Sequence, residues 1–120
     1  MTDRELLELA AEAAGIEYDA EASQPHPKSK VFFGLWIVIH SEPYEGQKRY
    51  WNPLTDDGDA LRLAVKLVLA VSVCTDYTVI LGVFVDGLAV RENHGDDPYA
   101  ATRRVIVRAA AELAKQEVKT

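Results

Sequence analysis

Val31-Phe32-Phe33-Gly34-Leu35-Trp36-Ile37-Val38-Ile39-His40 is the stretch on which the fold turns. Val31, Phe33, Leu35, Ile37 and Ile39 alternate to one side, and Phe32, Trp36 and Val38 to the other. A half-buried strand keeps one of its two sets polar. A strand apolar on both is expected to be covered on both faces. Gly34 leaves room for a close neighbour or a bulge. Residues 77–85 repeat the doubly apolar pattern. Two such strands call for helices on both sides of one sheet.

The flanking sequence supplies those helices. Thr2-Asp3-Arg4-Glu5 has the spacing of a capping box, and Leu6, Leu9, Ala10 and Ala13 recur at helical spacing. A helix is predicted over 3–14, closed at Gly15 by a left-handed cap with Ile16 packing back. Residues 17–30, with Pro25 and Pro27, read as a loop. Residues 41–46 turn the chain into a shorter, more polar strand over 47–51, which Pro53 stops. Thr55, Asp56 or Asp57 then caps a second helix with Leu61, Ala64, Val65, Val68 and Leu69 on its apolar face. Residues 71–75 read as a strand around Cys74, a thiol expected to be an inert core group. Asp86-Gly87 is a two-residue hairpin signal, after which 88–93 pair back. Asp97 caps and Pro98 opens a third helix, which runs to about Val118. Its expected packing face is Tyr99, Thr102, Ile106, Ala109, Ala110 and Leu113.

The fold expected is α+β: a three-layer α/β/α sandwich around one mostly antiparallel sheet, in the order α-β-β-α-β-β-β-α, as a single domain over 1–120. The expected core includes Phe33, Leu35, Trp36, Ile37, Val38, Leu61, Val65, Val68, Ile80, Val83, Ile106, Ala110 and Leu113.

The chain has 120 residues, 48% of them apolar and 27% charged, with one cysteine. It is long and apolar enough for a core without staples, which excludes global disorder and a disulfide scaffold. No stretch reaches the roughly 18 uncharged apolar residues of a membrane span, and the acidic N-terminus is unlike a signal peptide. A cytoplasmic protein is expected, with no membrane partner. The net charge of −6 is concentrated in residues 1–24, where Asp3, Glu5, Glu8, Glu12, Glu17, Asp19 and Glu21 face Arg4 alone. This disfavours nucleic-acid backbones there and permits a basic partner.

Two strings are more distinctive. One runs Trp51-Asn52-Pro53-Leu54-Thr55-Asp56-Asp57-Gly58-Asp59-Ala60-Leu61-Arg62-Leu63-Ala64-Val65-Lys66-Leu67. The other runs His94-Gly95-Asp96-Asp97-Pro98-Tyr99-Ala100-Ala101-Thr102-Arg103-Arg104-Val105-Ile106-Val107-Arg108-Ala109-Ala110-Ala111-Glu112. After an opening like Asp3-Arg4-Glu5-Leu6-Leu7-Glu8-Leu9-Ala10, they resemble the phage ABA-sandwich domain family, over roughly half of the chain. The resemblance implies a sandwich fold and a phage or prophage origin, hence a host bacterial cytoplasm. It implies no activity and no catalytic residues.

Candidate sites follow from residue type. Asp56, Asp57 and Asp59 at one helix start and His94, Asp96 and Asp97 at another would supply oxygen ligands and an acid or base to a metal-dependent hydrolase if brought together. Each cluster is also explained by capping its own helix, and no metal or other cofactor is expected. Arg104, Arg108, Lys115 and Lys119 share a face of the third helix that would suit nucleic acid, but no aromatic interleaves to stack bases. Glu5, Glu8 and Glu12 form an acidic face on the first helix. Tyr44, Tyr50 and Trp51 cluster after the first hairpin beside charged residues, as a partner-binding patch would. No phosphate loop or nucleophile elbow occurs. The reading these features favour is a non-enzymatic accessory protein that binds an unidentified host or phage protein and modulates host or phage machinery, host defence included.

Overall fold

A computed structural model describes residues 1–40, 42–82 and 87–118, with backbone only at 117 and 118. Helix α1 spans Asp3–Ala14, as its periodicity predicts. Thr2 Oγ1 accepts from the Glu5 amide at 3.2 Å, and Gly15, at φ +69°, returns its N–H to the carbonyls of Ala11 and Glu12. Both ends thus satisfy backbone groups that a helix leaves open. The chain continues as β1 (Tyr18–Asp19), β2 (Leu35–Val38), β3 (Lys48–Trp51), α2 (Asp57–Lys66), β4 (Leu69–Val73), β5 (Tyr77–Gly82), β6 (Ala89–Asn93) and α3 (Pro98–Val118). The α+β class, the antiparallel pairing and the element order stand as expected, with the two-residue β1 added from the predicted loop.

The single sheet does not stand. The strands form two three-stranded sheets, β1-β2-β3 and β4-β5-β6. Gly34 shows why the first strand is short. Its φ is +124°, outside extended backbone, and a Cβ there would lie 2.5 Å from the Trp51 carbonyl oxygen. The close neighbour expected at this glycine is the backbone of β3. The kink ends the ladder at Leu35, so Val31 and Phe33 leave the strand and are exposed.

One core joins both sheets to the helices. Leu6, Leu7, Ala10, Ala11 and Ala14 of α1 belong to the same cluster as Val105, Ala109 and Ala110 of α3, Leu35, Ile37 and Trp51 of the first sheet, and Ile80 and Val90 of the second. Helix α3 packs on α1, α2, β5 and β6, while α1 reaches β2. Each sheet therefore turns one face to a shared set of helices. Burial alternates along β2 and β5, as a sheet covered on one face requires. Helices covering both faces of one sheet, as the doubly apolar strands suggested, are replaced by this arrangement.

The core differs accordingly. Leu35, Ile37, Ile80, Ile106 and Ala110 are buried as expected, and Trp36, Val38 and Leu113 are half-buried. Phe33, Leu61, Val65 and Val68 are exposed, and Val83 and Asp86 lie outside the described residues. In α2 the buried stripe is Asp59, Ala60, Leu63 and Ala64. Drawing Asp59 inward turns Leu61 and Val65 out to 65% and 69% exposure. In α3, Tyr99 is exposed, while Val107, Ala111 and Ala114 join the buried set. Cys74 is half-buried in the β4–β5 turn, where its amide donates to the Tyr77 carbonyl, and is not part of the core.

Candidate functional site

The register of the first sheet decides which side chains share a face. Leu35 lies opposite Trp51, and both enter the core. Trp36 opposite Tyr50, and Val38 opposite Lys48, therefore point the other way. The Trp36 and Tyr50 rings meet near edge-on, with centroids 4.8 Å apart and planes at 65°. Phe33, released from the strand by Gly34, brings its ring within 5.7 Å of the Tyr50 ring. Phe33 is 52% exposed and Tyr50 41%. Pro25, His26 and Pro27 adjoin the cluster and line a shallow cavity of about 330 Å³ with Phe33 and Tyr50. The segment is held in place by His26 Nδ1, which accepts from the amides of Lys28 and Ser29, and by Ser23 Oγ, which accepts from the Trp36 amide at 2.8 Å.

This surface revises the predicted aromatic patch. Tyr50 belongs to it. Trp51 does not, because the next residue along a strand points to the opposite face, and its side chain is core at 3% exposure. Tyr44 is exposed on the β2–β3 turn. Phe33 and Trp36 are the residues the sequence reading missed, having been assigned to the core. The available signal was the one-residue offset between Trp36 and Leu35 combined with the positive φ that Gly34 permits.

The acidic clusters are distributed among structural tasks. Asp56 Oδ2 caps α2 by accepting from the Asp59 amide at 2.8 Å. Asp57 pairs with Arg103 of α3 at 2.7 Å. Asp97 Oδ1 accepts from the amides of Tyr99 and Ala100, both at 3.1 Å, and caps α3. His94 is buried between β5 and the β4–β5 turn, bonded to Thr78 Oγ1 at 2.8 Å and the Thr75 carbonyl at 3.1 Å. Asp96 is exposed. Among the described residues no three His, Cys, Asp or Glu side chains are grouped so as to hold a metal ion. The two clusters are not brought together into one ligand set.

Asp59 is the exception in burial, at 1% exposure. Arg49 of β3 grips it with both terminal nitrogens, at 2.7 and 3.2 Å; Arg62 adds 2.9 Å and the Asn52 amide 3.0 Å. Burial alone would raise the carboxyl pKa. The bonds from Arg49, the Asn52 amide and Arg62 outweigh it and hold Asp59 below the usual carboxylate range. Its hydrogen bonds also raise the pKa of Arg49.

The charged faces are partly occupied from within the fold. Arg104 lies 3.5 Å from Asp3 and 3.9 Å from Glu92, Arg108 pairs with Glu92, and Lys115 lies 3.3 Å from Glu112. Lys119 lies outside the described residues. An α3 face whose cations already meet acids offers little net charge to a phosphate backbone. On α1, Glu8 pairs with Arg4 and accepts from Tyr18 Oη at 3.0 Å, while Glu5 and Glu12 remain exposed. Burial, then the bond to Glu8, raise the Tyr18 pKa. No helix among the described residues is long and apolar enough to cross a membrane.

No protein-family model matches the chain. Neither the curated proteins nor the solved structures compared with it give a match.

Proposed function

We propose that the chain is a phage or prophage accessory protein, a non-enzymatic module that binds a host or phage protein in the bacterial cytoplasm through the aromatic face of the first sheet. The observation that carries this reading is the placement of Phe33, Trp36 and Tyr50 on one solvent-facing surface. Aromatic residues clustered on a rigid sheet supply large contact area at low entropic cost, and they dominate the centres of protein interfaces. The sequence resemblance supports the phage origin. The exposed acids Glu5 and Glu12 on α1 add a field that speeds encounter with a basic partner.

Capture from host lysate, with mass spectrometry, compares the wild type with Phe33→Ala/Tyr50→Ala. Any protein retained by the wild type is then purified and titrated calorimetrically against both. Loss of two central anchors is expected to weaken binding by roughly 30-fold or more. Equal affinity for the variant refutes the aromatic face as the working surface.

A further inference from the structure

The second sheet has two unlike edges. Strand β6 carries Arg91 and Glu92; Arg91 lies 3.8 Å over the Tyr77 ring, and Glu92 pairs with Arg108. Charges of this kind keep an edge from adding further strands. The other edge, β4, reads Leu69-Ala70-Val71-Ser72-Val73, and residues 67–75 contain no charged side chain and no proline. Among the described residues β4 pairs only with β5. Val71 and Val73 lie opposite Ile80 and Thr78 and so face the helices, as those two buried residues do. Yet Val71 is 37% and Val73 63% exposed, because α3 covers β5 and β6 and stops short of β4.

Helix α2, which packs against β4, carries further exposed apolar side chains. Leu61 and Val65, one turn apart on the helix, are 65% and 69% exposed, and Val68, just past the helix end, is 47% exposed. Val68 also holds φ +52°, a conformation costly for a β-branched residue. The exposed parts of these five side chains together amount to on the order of 500 Å² of surface, within the range of the largest apolar patches on monomers. Two such patches facing each other would bury about 1,000 Å², where specific interfaces begin.

We infer that this face is where a second copy of the chain docks, by antiparallel pairing of β4 with β4 across a two-fold axis at Val71. The strand is self-complementary in that register. Leu69 falls opposite Val73, Ala70 opposite Ser72, and Val71 opposite its own copy. Apolar meets apolar on one face, small meets small on the other, and no like charges are opposed. The two sheets would become one of six strands, flanked by Leu61 and Val65 of each copy. The acidic N-terminal segment, which would repel its copy, is not part of the patch.

Sedimentation velocity over a concentration series tests this, with the full chain, Val71→Lys, and Leu61→Glu/Val65→Glu. The wild type is expected at twice the 13.3 kDa chain mass. Each variant is expected to raise the dimer dissociation constant by roughly 30-fold or more. Far-UV circular dichroism checks that each variant folds. Should Val71→Lys unfold, the α2 pair decides the matter, since both residues are largely exposed in the single chain. A wild type that stays monomeric throughout overturns the inference, as does a dimer that either folded variant leaves intact. Phe33→Ala/Tyr50→Ala should leave dimerisation unchanged, which separates this surface from the aromatic one.

Discussion

Replacing Asp59 by Asn keeps the shape of the side chain and removes its charge. The wild-type carboxylate accepts from Arg49 twice, from Arg62 and from the Asn52 amide. The asparagine must turn an NH₂ toward one side of that donor set. The arginine side chains are 36% and 65% exposed, so they regain water in the variant, and their share shrinks toward that of screened pairs, about 1 kcal/mol or less each. The Asn52 amide competes for a single remaining acceptor, and a buried donor left open costs about 1–3 kcal/mol. A total loss of about 1–5 kcal/mol, centred near 3, follows from these two contributions. In urea, with a slope of about 2 kcal/mol per M, the unfolding midpoint should fall by roughly 0.5–2.5 M, read from the fluorescence of Trp36 and Trp51. The pH dependence carries a sign. A carboxyl held low in the folded state contributes stability that is complete above its unfolded value near 3.9 and lost as pH falls through the folded value. The gap between wild type and Asp59→Asn should therefore be full at neutral pH and narrow only in acid. A midpoint shift below about 0.3 M would show that the network contributes geometry without stability, and a gap that persists undiminished in acid would show that the loss does not come from the carboxylate charge.

Other substitutions probe other parts of the fold. Ile106→Ala, at a position 5% exposed in the α3 core, should cost about 2–5 kcal/mol, measurable by urea unfolding; a loss under 1 would mean the site collapses around the cavity. Gly34→Ala should destabilise by at least about 1–3 kcal/mol, because an alanine must adopt φ +124° and push on the Trp51 carbonyl; retention of wild-type stability would remove the kink as a structural requirement. Asp97→Ala should lower stability by about 0.5–2 kcal/mol through loss of the cap, whereas Asp97→Asn should lose less; equal losses would point to charge instead of capping.

What the sequence made legible was local. The bounds of α1, the caps at Thr2 and Asp97 and the start of α3 depend on neighbouring residues and the geometry of a single turn, and all appear where expected. The sheets depend on pairing at a distance, and there the doubly apolar strands misled. Apolar side chains at both phases predict cover on both faces. The structure leaves Tyr50 on one sheet, with Phe33 beside it, and Leu81 on the other, in contact with solvent. In α2 the hydrophobic period chose Leu61 and Val65, but burial of an ion-paired aspartate rotated the helix away from them. Periodicity ranks side chains by apolarity alone and could not weigh Asp59 with partners supplied from β3. For the same reason the residues of the candidate site were individually visible, while their company was not. Phe33, Trp36 and Tyr50 come together only through the β2–β3 register.

The alanine-rich contact between α1 and α3 bears on how the chain is made. Asp3 and Arg104, at the near ends of that contact, are separated by 101 positions, and Leu7, Ala10 and Ala11 depend on α3 for their cover. On the ribosome, both sheets and α2 emerge while α1 still lacks its partner. At about 5–20 residues per second, several seconds pass with the leucines of α1 and the bare β4 edge exposed together. Transiently exposed apolar surface and unpaired strand edges are prone to aggregate, so yield during expression should respond to translation speed and chaperone supply more than the stability of the finished protein would suggest.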